Sequence, residues 1–293
     1  MNELTINGDT TKLERVIARL VHLTRADPHN PYIDLEWPDE IEGGWLAPEL
    51  MSIHGTHFED ELSDEQKAEL AKWECLNFFS LNVSGIRDLL VAMTERLHSP
   101  GFEKVSEYLH CFIAEENEHM WYFAKFCIEY GKLYEDRAME IGESAEPDIE
   151  NFLIFVRALV FEELVDVYNR TQADDDRLHP FVQELNRIHH LDEVRHIAYG
   201  RMYVELINRQ LHEKYPKDRM DEIEDAIKRF IQVSIMKLYN PAVYRDAGFE
   251  KPARMRKELL SDPVRMEYNK NLLAPTIRYF TKVGILSNDT VWH

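Results

Sequence analysis

Two Glu-x-x-His motifs are the feature that most constrains what this chain can fold into. One is Glu116-x-x-His119 in AEENEHM, and the other is Glu193-x-x-His196 in HHLDEVRH. On an α-helix, residues three apart are separated by about 60° around the axis, so each glutamate and its histidine can reach one ion from one face. A single motif arises easily by chance, but both copies lie among apolar residues at helical spacing. These are Phe112, Ile113 and Phe123 around the first motif, and Leu185, Ile188 and Val194 around the second.

The scarcity of proline and glycine predicts an all-α chain. The 293 residues contain 11 Gly and 12 Pro, and only four prolines divide the chain between Pro48 and Pro241. Ser63 followed by Gln66 is typical of a helix start. Short acidic loops at 139–148 and 173–179 favour antiparallel neighbours. The predicted helices lie near 10–25, 64–98, 102–131, 148–172, 181–213 and 218–238.

A di-metal bundle needs two further glutamates, each from another helix and each pointing inward. The helix before the first motif offers Glu74 in LAKWECLNFF, and the helix before the second offers Glu162 and Glu163 in LVFEELVDVY. An unpaired carboxylate in such apolar surroundings is costly, whereas a bound metal ion removes that cost. The order Glu, E-x-x-H, Glu, E-x-x-H over four consecutive helices therefore predicts a ferritin-like four-helix bundle with a carboxylate-bridged di-metal core.

His189 adds a further candidate ligand on the helix of the second motif. It lies four residues before Glu193 and seven before His196, so the three side chains share one helical face. A plain ferritin-like site does not need this imidazole. The alternative is a histidine that supports the ligands from behind or lies on the surface.

Other polar residues beside the motifs have simpler interpretations. We expect Glu115 to be a solvated or ion-paired neighbour of the ligands, and Asp192 to lie off the ligand face. Tyr122 and Tyr199 each follow a motif histidine by three residues. They could carry a radical, but core packing explains them more simply.

The two ends of the chain differ from its middle. Residues 26–62 are rich in Pro, Gly, Trp and His, which predicts an irregular wrap. Residues 241–293 carry nine Lys or Arg, six Asp or Glu and spaced prolines, which predict a mostly irregular strap over the bundle. We expect a single domain over 1–293, with the bundle core at about 64–240, the N-terminal wrap at 1–62 and the C-terminal strap completing it.

Composition excludes some classes of function. Lys and Arg number 34 against 54 Asp and Glu, a net charge of −20, so the basic footprint that nucleic-acid binding needs is missing. No apolar run approaches the roughly 20 residues that span a bilayer, and the charged N-terminus lacks the apolar core of a signal peptide.

Three cysteines without a CxxC pair are typical of buried thiols in a reducing compartment, so we expect a cytoplasmic protein. The apolar helix at 218–238 needs cover, which favours a homodimer unless the C-terminal strap supplies it.

The sequence resembles the p-aminobenzoate N-oxygenase family of di-iron arylamine oxygenases. The resemblance spans roughly 40–240 and rests on WE at 73–74, EENEH at 115–119, FEE at 161–163 and HHLDEVRH at 189–196. Its most specific part is the His-x-x-x-Glu-x-x-His triplet, since that family uses an additional histidine ligand on one iron. The resemblance implies two iron ions held by seven ligands. These ligands are Glu74, Glu116, His119, Glu162, His189, Glu193 and His196.

The same resemblance implies the chemistry. O₂, as co-substrate, would be activated at the two irons and would oxidise the nitrogen of a primary amine, most typically an arylamine, to hydroxylamine, nitroso or nitro products. Electrons would come from an external donor, because the chain contains no flavin or NAD fingerprint. No substrate-binding residue of the family carries over to this sequence, so the resemblance leaves the amine unidentified.

Other functions share part of this pattern. An acyl-carrier desaturase has paired motifs similar to EENEH and DEVRH but leaves His189 unexplained. A radical-generating reductase subunit would need one of the tyrosines close to iron. An iron-storage protein is usually a shorter bundle without the wrap and the strap. A non-catalytic helical scaffold explains the helices but not four ordered sets of ligands.

Overall fold

The computed structural model describes residues 10–26, 29–135 and 146–292, and over these residues the chain forms helices without a β-strand. The all-α prediction is confirmed, and the predicted loop at 139–148 falls largely outside the described residues. Among the described helices, none combines the length and the apolar composition that crossing a membrane requires. The elements are α1 (Thr10–Ala26), α2 (Pro31–Asp34), a 3-10 turn (Pro48–Leu50), α3 (His57–Glu61), α4 (Asp64–Arg96), α5 (Ser106–Tyr130), α6 (Pro147–Ala173), α7 (Pro180–Lys214), α8 (Lys217–Met236), α9 (Pro241–Asp246), α10 (Pro252–Ser261), α11 (Pro263–Leu272) and α12 (Ala274–Lys282).

Local sequence signals set where the long helices begin. The Gln66 N–H donates to Ser63 Oγ, and the Ser63 N–H donates back to the Gln66 side chain, so the predicted cap of α4 is present. Pro147 and Pro180 stand at the starts of α6 and α7, where a missing N–H costs nothing. The six predicted helices lie where they were expected, and their ends shift by at most four residues.

The four long helices α4 to α7 form two tightly packed pairs, α4 with α5 and α6 with α7. In the first pair, Phe79 contacts Phe123 with 4.7 Å between ring centroids. In the second pair, Gly200 comes so near to Leu159 that an added Cβ would lie 3.2 Å from its side chain. Six of the seven candidate ligands come together in the buried interior of this bundle.

The segment between α1 and α4 wraps the bundle largely without regular structure, as predicted, with short helices only. Trp45 in this segment packs on Phe126 of α5 with 5.8 Å between ring centroids. Gly44 forms an isolated bridge with Leu178 before α7. A side chain at Gly44 would collide with the backbone carbonyl of Arg177, so the close approach requires glycine.

The C-terminal segment is helical, which corrects our expectation of a mostly irregular strap. Four helices, α9 to α12, occupy most of the segment up to Lys282. Each of them has proline in its first two positions, where the fixed φ of proline favours a helix. Asn240 and Asp262 cap α9 and α11 by accepting backbone N–H groups. The spaced prolines are therefore helix starts, whereas we had interpreted them as interruptions.

Helix α8 buries its apolar face within the same chain. Ile231 and Ile235 are fully buried, and α8 packs against α6. The Gln232 side chain donates to the backbone carbonyl of Val291 near the C-terminus. The C-terminal segment thus supplies part of the cover that we expected from a second copy, and the homodimer stays a prediction.

Candidate metal centre

Six of the seven predicted ligands come together in the interior of the bundle, in two groups whose ligand atoms lie within 4.8 Å of one another. The first group joins His119 of α5 with His189 and Glu193 of α7. The second group takes residues from α5, α6 and α7. It consists of Glu116, Glu162, Glu193 and His196. Because Glu193 belongs to both groups, two metal positions would share it as a bridge.

The potential ligand atoms point at common centres. The Nε2 atom of His189 lies 2.8 Å from Glu193 Oε1, and the Nδ1 atom of His119 lies 3.6 Å from the same oxygen. The Nδ1 atom of His196 lies 2.8 Å from Glu116 Oε1 and 3.4 Å from the second oxygen of Glu193. All of these residues are at most 1% exposed. The centre is therefore enclosed, and water contributes little to satisfying its polar atoms.

These atoms approach one another without the alignment of a hydrogen bond. Both carboxylate oxygens of Glu116, Glu162 and Glu193 are buried without a hydrogen-bond partner among the described residues, and so is one ring nitrogen of each histidine in the two groups. Each buried unsatisfied polar atom costs on the order of 1–3 kcal/mol. Three carboxylates and three imidazoles are a donor set that suits iron or manganese. The residues therefore fit a di-metal cofactor.

Two of the histidines are held from behind by carboxylates. The Nε2 atom of His119 lies 3.0 Å from Asp192 Oδ2, and the Nε2 atom of His196 lies 2.9 Å from Glu115 Oε2. The guanidinium of Arg195 donates to both of these carboxylates. Such partners fix which ring nitrogen carries the proton and leave the other one available for a metal ion.

His189 lies on the ligand face, as its spacing predicted. It is fully buried, and its Nδ1 atom lies 2.8 Å from the amide of Asn169 on α6. Its Nε2 atom faces Glu193. Each of the three histidines therefore presents one nitrogen to the cluster and the other to a polar partner, which is the arrangement that protein metal ligands adopt.

Sequence reasoning gave these outer partners no role in the centre. A usable signal was present, because Glu115 and Asp192 each directly precede a ligand glutamate. The residue before an inward-pointing side chain lies about 100° around the helix, where it can reach a ring on the facing helix. Asn169 offered no such signal, since only the packing of α6 on α7 brings it to His189.

The crowding of carboxylates shifts their pKa values. Burial, together with the neighbouring charges of Glu193 and Glu116, raises the pKa of Glu162 well above its ordinary value. Burial also acts on Glu193, but the histidines of its own helix outweigh it and lower the pKa of Glu193. Burial opposes a charged His119, yet Glu116 and Asp192 outweigh it and raise the pKa of His119 to about 10. The raised pKa of Glu162 favours its protonated form in the metal-free protein, and metal binding competes with that proton.

Glu74 lies apart from the other six predicted ligands. Its carboxylate accepts hydrogen bonds from the Ser52 N–H, at 3.0 Å, and from the Ser52 hydroxyl. Burial raises the pKa of Glu74 to about 7, against the effect of these bonds. We had inferred a metal ligand from the apolar sequence around Glu74. Its contact with the N-terminal segment accounts for a buried carboxylate there without a metal ion.

The structure separates Glu162 from its neighbour Glu163. Glu163 accepts two hydrogen bonds from the Arg201 guanidinium, at 2.6 and 2.8 Å, and one from Thr276 Oγ1 at 2.8 Å. It therefore ties α6 to α7 and α12. Glu162 faces the cluster instead, with both oxygens free of hydrogen bonds from the described residues.

The chain matches a protein-family model described as P-aminobenzoate N-oxygenase AurF over residues 10–284. The chain belongs to this family. The match contains both ligand groups and their outer partners, so the family resemblance and the observed cluster concern the same residues. No curated protein matches the chain.

Solved structures of R2-like ligand-binding oxidases have the same fold. One, a variant with an anaerobically reconstituted Mn/Fe cofactor, has a TM-score of 0.51 at 14% identity and covers 98% of this chain and 96% of its own. Another, a variant with an aerobically reconstituted Fe/Fe cofactor, has a TM-score of 0.50 at 15% identity with the same coverage. The predicted ferritin-like fold is thereby confirmed, and at these identities the likeness concerns the fold alone.

Family membership and the buried cluster together identify the general chemistry. A member of the p-aminobenzoate N-oxygenase family with carboxylates and imidazoles converging on two adjoining positions is a di-metal oxygenase. It is thus an oxidoreductase whose substrate is a small molecule. The protein contributes ligands, orientation and a water-poor interior, while the metal ions carry the redox chemistry.

Proposed function

We propose that this protein uses two iron ions and O₂ to oxidise the nitrogen of a primary arylamine to hydroxylamine, nitroso or nitro products. The observation that carries the proposal is the pair of ligand groups joined by Glu193, whose buried oxygen and nitrogen atoms converge without hydrogen bonds. Membership of the p-aminobenzoate N-oxygenase family supports the amine as the substrate. Reduction of O₂ consumes electrons, so an external electron donor completes the proposal.

The side chains around the centre have defined parts in this proposal. Two irons bound here would supply the electrons and the open positions at which O₂ is reduced. Asp192 and Glu115 hold the two motif histidines in the tautomer that leaves Nδ1 free for a metal ion. Aromatic rings shield the centre from water. The ring centroids of Phe112 and His196 are 4.2 Å apart, and those of Phe123 and His189 are 4.9 Å apart.

A cavity on the outer side of α6 is our candidate position for the amine. It has a volume of about 190 Å³ and lies between α4, α6 and α8. Phe161, the residue before Glu162, stands in its wall against Gly85, where any side chain would collide with the ring. The wall is mostly apolar, with Arg157 and Lys237 as its cationic residues and Asp88 as its anionic one. An aromatic ring with an anionic substituent matches such a wall.

The position of Arg157 supports an aminobenzoate in this cavity. Arg157 precedes Glu162 by five residues on α6, which is about 7.5 Å along the helix axis. Five residues also turn about 140° around the helix, so Arg157 lines the cavity while Glu162 belongs to the ligand cluster. A carboxylate paired with Arg157 would hold the ring of an aminobenzoate in the cavity.

The test offers p-aminobenzoate and a fatty acyl thioester side by side to the iron-loaded protein, with a chemical reductant and O₂. Oxidised nitrogen products are expected from the amine. Turnover of the thioester with the amine untouched would replace the proposal with a desaturase-like function. The variant Arg157→Gln should raise KM for p-aminobenzoate more than it lowers kcat. Arg254→Gln is the control, because Arg254 pairs with Glu258 on the exposed side of α10.

Radical generation is the second candidate, and one observation favours it. Tyr122 is buried, its ring centroid lies 5.7 Å from that of His119, and its hydroxyl has no hydrogen-bond partner among the described residues. A tyrosyl radical detected by electron paramagnetic resonance after exposure to O₂, and lost in Tyr122→Phe, would support it. Unreacted p-aminobenzoate in the same sample would then decide against N-oxygenation.

A further inference from the structure

The two ligand groups take side chains from α5, α6 and α7 but none from α4. A di-iron bundle of this type draws one glutamate from each helix without a Glu-x-x-His motif. Glu74, the residue that we expected to serve on α4, is engaged by Ser52. A ligand from α4 would therefore be another residue of this helix. Asn82 lies eight residues after Glu74, about 12 Å further along the helix axis.

Contacts along α4 place Asn82 at the level of the centre. Phe78 stacks on Tyr168 of α6 with 4.5 Å between ring centroids. Gly85 lies against the residue that directly precedes Glu162. Asn82 lies between these two contact points and is fully buried. It therefore stands opposite the stretch of α6 that carries Glu162.

The preceding turn of α4 indicates the direction in which this face points. Phe79, three residues before Asn82 on the same face, packs on Phe123 of α5. The Phe123 ring in turn lies 4.9 Å from the ring of His189. Asn82 therefore belongs to the side of α4 that is turned toward the first ligand group.

The amide of Asn82 is only half satisfied. Its Nδ2 atom donates to the carbonyl of Phe78 at 2.9 Å. Its Oδ1 atom is buried without a hydrogen-bond partner among the described residues. An orphaned buried carbonyl is unfavourable, and an amide oxygen is an accepted ligand for hard divalent cations. A metal ion in the first group would satisfy it.

We propose that Asn82 Oδ1 is the α4 ligand of the metal position built from the first group, in place of a carboxylate. The inference rests on the proposed di-metal centre and adds a neutral donor to it. The carboxylates of the cluster then number three, against four positive charges on two divalent ions. Asp192, Glu115 and Arg195 behind the histidines add one further net negative charge. Among directly bound carboxylates the first position has only a share of Glu193.

The two positions are consequently unequal. The second position has Glu116 and Glu162 in addition to the shared Glu193, and it binds its ion first. The first position has two imidazoles, the shared carboxylate and a neutral amide, and it binds its ion more weakly. A carboxylate at residue 82 would reduce this difference.

The experiment titrates the metal-free protein anaerobically with Fe²⁺ by calorimetry, and with Co²⁺ by visible absorption. The wild type should bind two ions with different affinities. Asn82→Asp should tighten the weaker position by about tenfold or more, since even outer partners of metal ligands act on that scale. Asn82→Leu should abolish the weaker position and leave the stronger one. Asn77→Asp is the matched control, because Asn77 lies on the same helix but bonds to Lys237 and Asn240.

The outcomes separate this inference from the proposed function. Two ions bound with unchanged affinities by Asn82→Asp and Asn82→Leu would overturn the assignment of Asn82 while leaving the di-metal centre in place. A wild-type protein that binds neither ion would overturn the centre and the assignment together. Asn82→Asp keeps the size of the side chain, so it decides the matter should Asn82→Leu fail to fold.

Discussion

Glu74 and Glu162 are both buried glutamates in apolar helical sequence, yet their surroundings differ completely. Glu74 accepts two hydrogen bonds from Ser52 of the N-terminal segment. Glu162 has no hydrogen-bond partner among the described residues, and it faces the carboxylates of Glu116 and Glu193. A buried carboxylate is therefore weak evidence for a metal ligand by itself. Its unsatisfied oxygens and its like-charged neighbours are what indicate one.

The surroundings of Glu74 show what a buried carboxylate does when it is satisfied within the chain. The Tyr244 hydroxyl donates to Ser52 Oγ at 3.1 Å, and the Arg265 guanidinium donates to the Tyr239 hydroxyl at 3.0 Å nearby. Hydrogen bonds among Ser52, Glu74 and Tyr244 therefore form a polar network of the N-terminal segment, α4 and α9, and Tyr239 and Arg265 lie next to it. This network fastens both ends of the chain to the bundle, whereas the two ligand groups take their side chains from α5, α6 and α7.

The largest expected effect is that of Glu193→Gln, because both metal positions share this side chain. We expect the metal content to fall from about two ions per chain to nearly none, a loss well beyond the roughly 10–100-fold effect of outer partners. Elemental analysis of the purified variant checks this. Glu74→Gln should retain both ions, and equal metal loss in the two variants would break the contrast between the two sites.

Glu74→Gln should change how stability depends on pH. The pKa of Glu74 rises from 4.5 to about 7 on folding, so between these values the folded state binds more protons than the unfolded state. The contribution of Glu74 to the free energy of unfolding is therefore fully present below about pH 4.5, and it is lost as the pH rises through about 7. The side chain in Glu74→Gln does not ionise, so the variant should be more stable than the wild type above pH 7, by up to about 3 kcal/mol.

Denaturant unfolding of the metal-free wild type and variant, at acidic and mildly alkaline pH, measures this difference. Glutamine can still accept from the Ser52 N–H, so the network persists in the variant. A variant that is less stable than the wild type at alkaline pH would show that Glu74 acts as a charged anchor.

Glu162→Gln and Glu163→Gln sharpen the comparison between neighbouring glutamates. Glu162→Gln should weaken the second metal position by about 100-fold, since the amide cannot ionise. Wild-type metal affinity should rise with pH, because metal binding competes with protonation of Glu162, whose pKa is raised. Glu163→Gln should retain wild-type affinity, since Glu163 pairs with Arg201 and Thr276. Metal titrations at several pH values test the pair, and identical titration curves for both variants would contradict it.

The smallest effect expected is that of Asp192→Asn, behind His119. The first metal position should weaken by about tenfold while the second position is retained, because the amide orients the ring less firmly than the carboxylate. Co²⁺ absorption resolves the two positions. Asp221→Asn, in an exposed pair with Lys217, is the control and should leave the spectrum unaltered.

The sequence by itself determined the helices and the relative positions of ligands within each helix. Each Glu-x-x-His motif, and His189 with the second one, was expected on one face of its helix, because spacing along a helix follows from 3.6 residues per turn. The structure brings these side chains together, and their role as metal ligands stays a prediction. Capping at Ser63 and prolines at helix starts are equally local signals, and the structure confirms them for α4, α6 and α7. The C-terminal prolines also mark helix starts, and we did not use that signal when we expected a mostly irregular strap.

Only the tertiary structure decided which residues of different helices meet. Spacing within α4 does not determine how far that helix is shifted against α6, so the sequence could not show whether Glu74 reaches the centre. The packing of α4 places Glu74 beside Ser52 and Asn82 at the level of Glu162. That alignment depends on side-chain packing between helices, which no local pattern encodes.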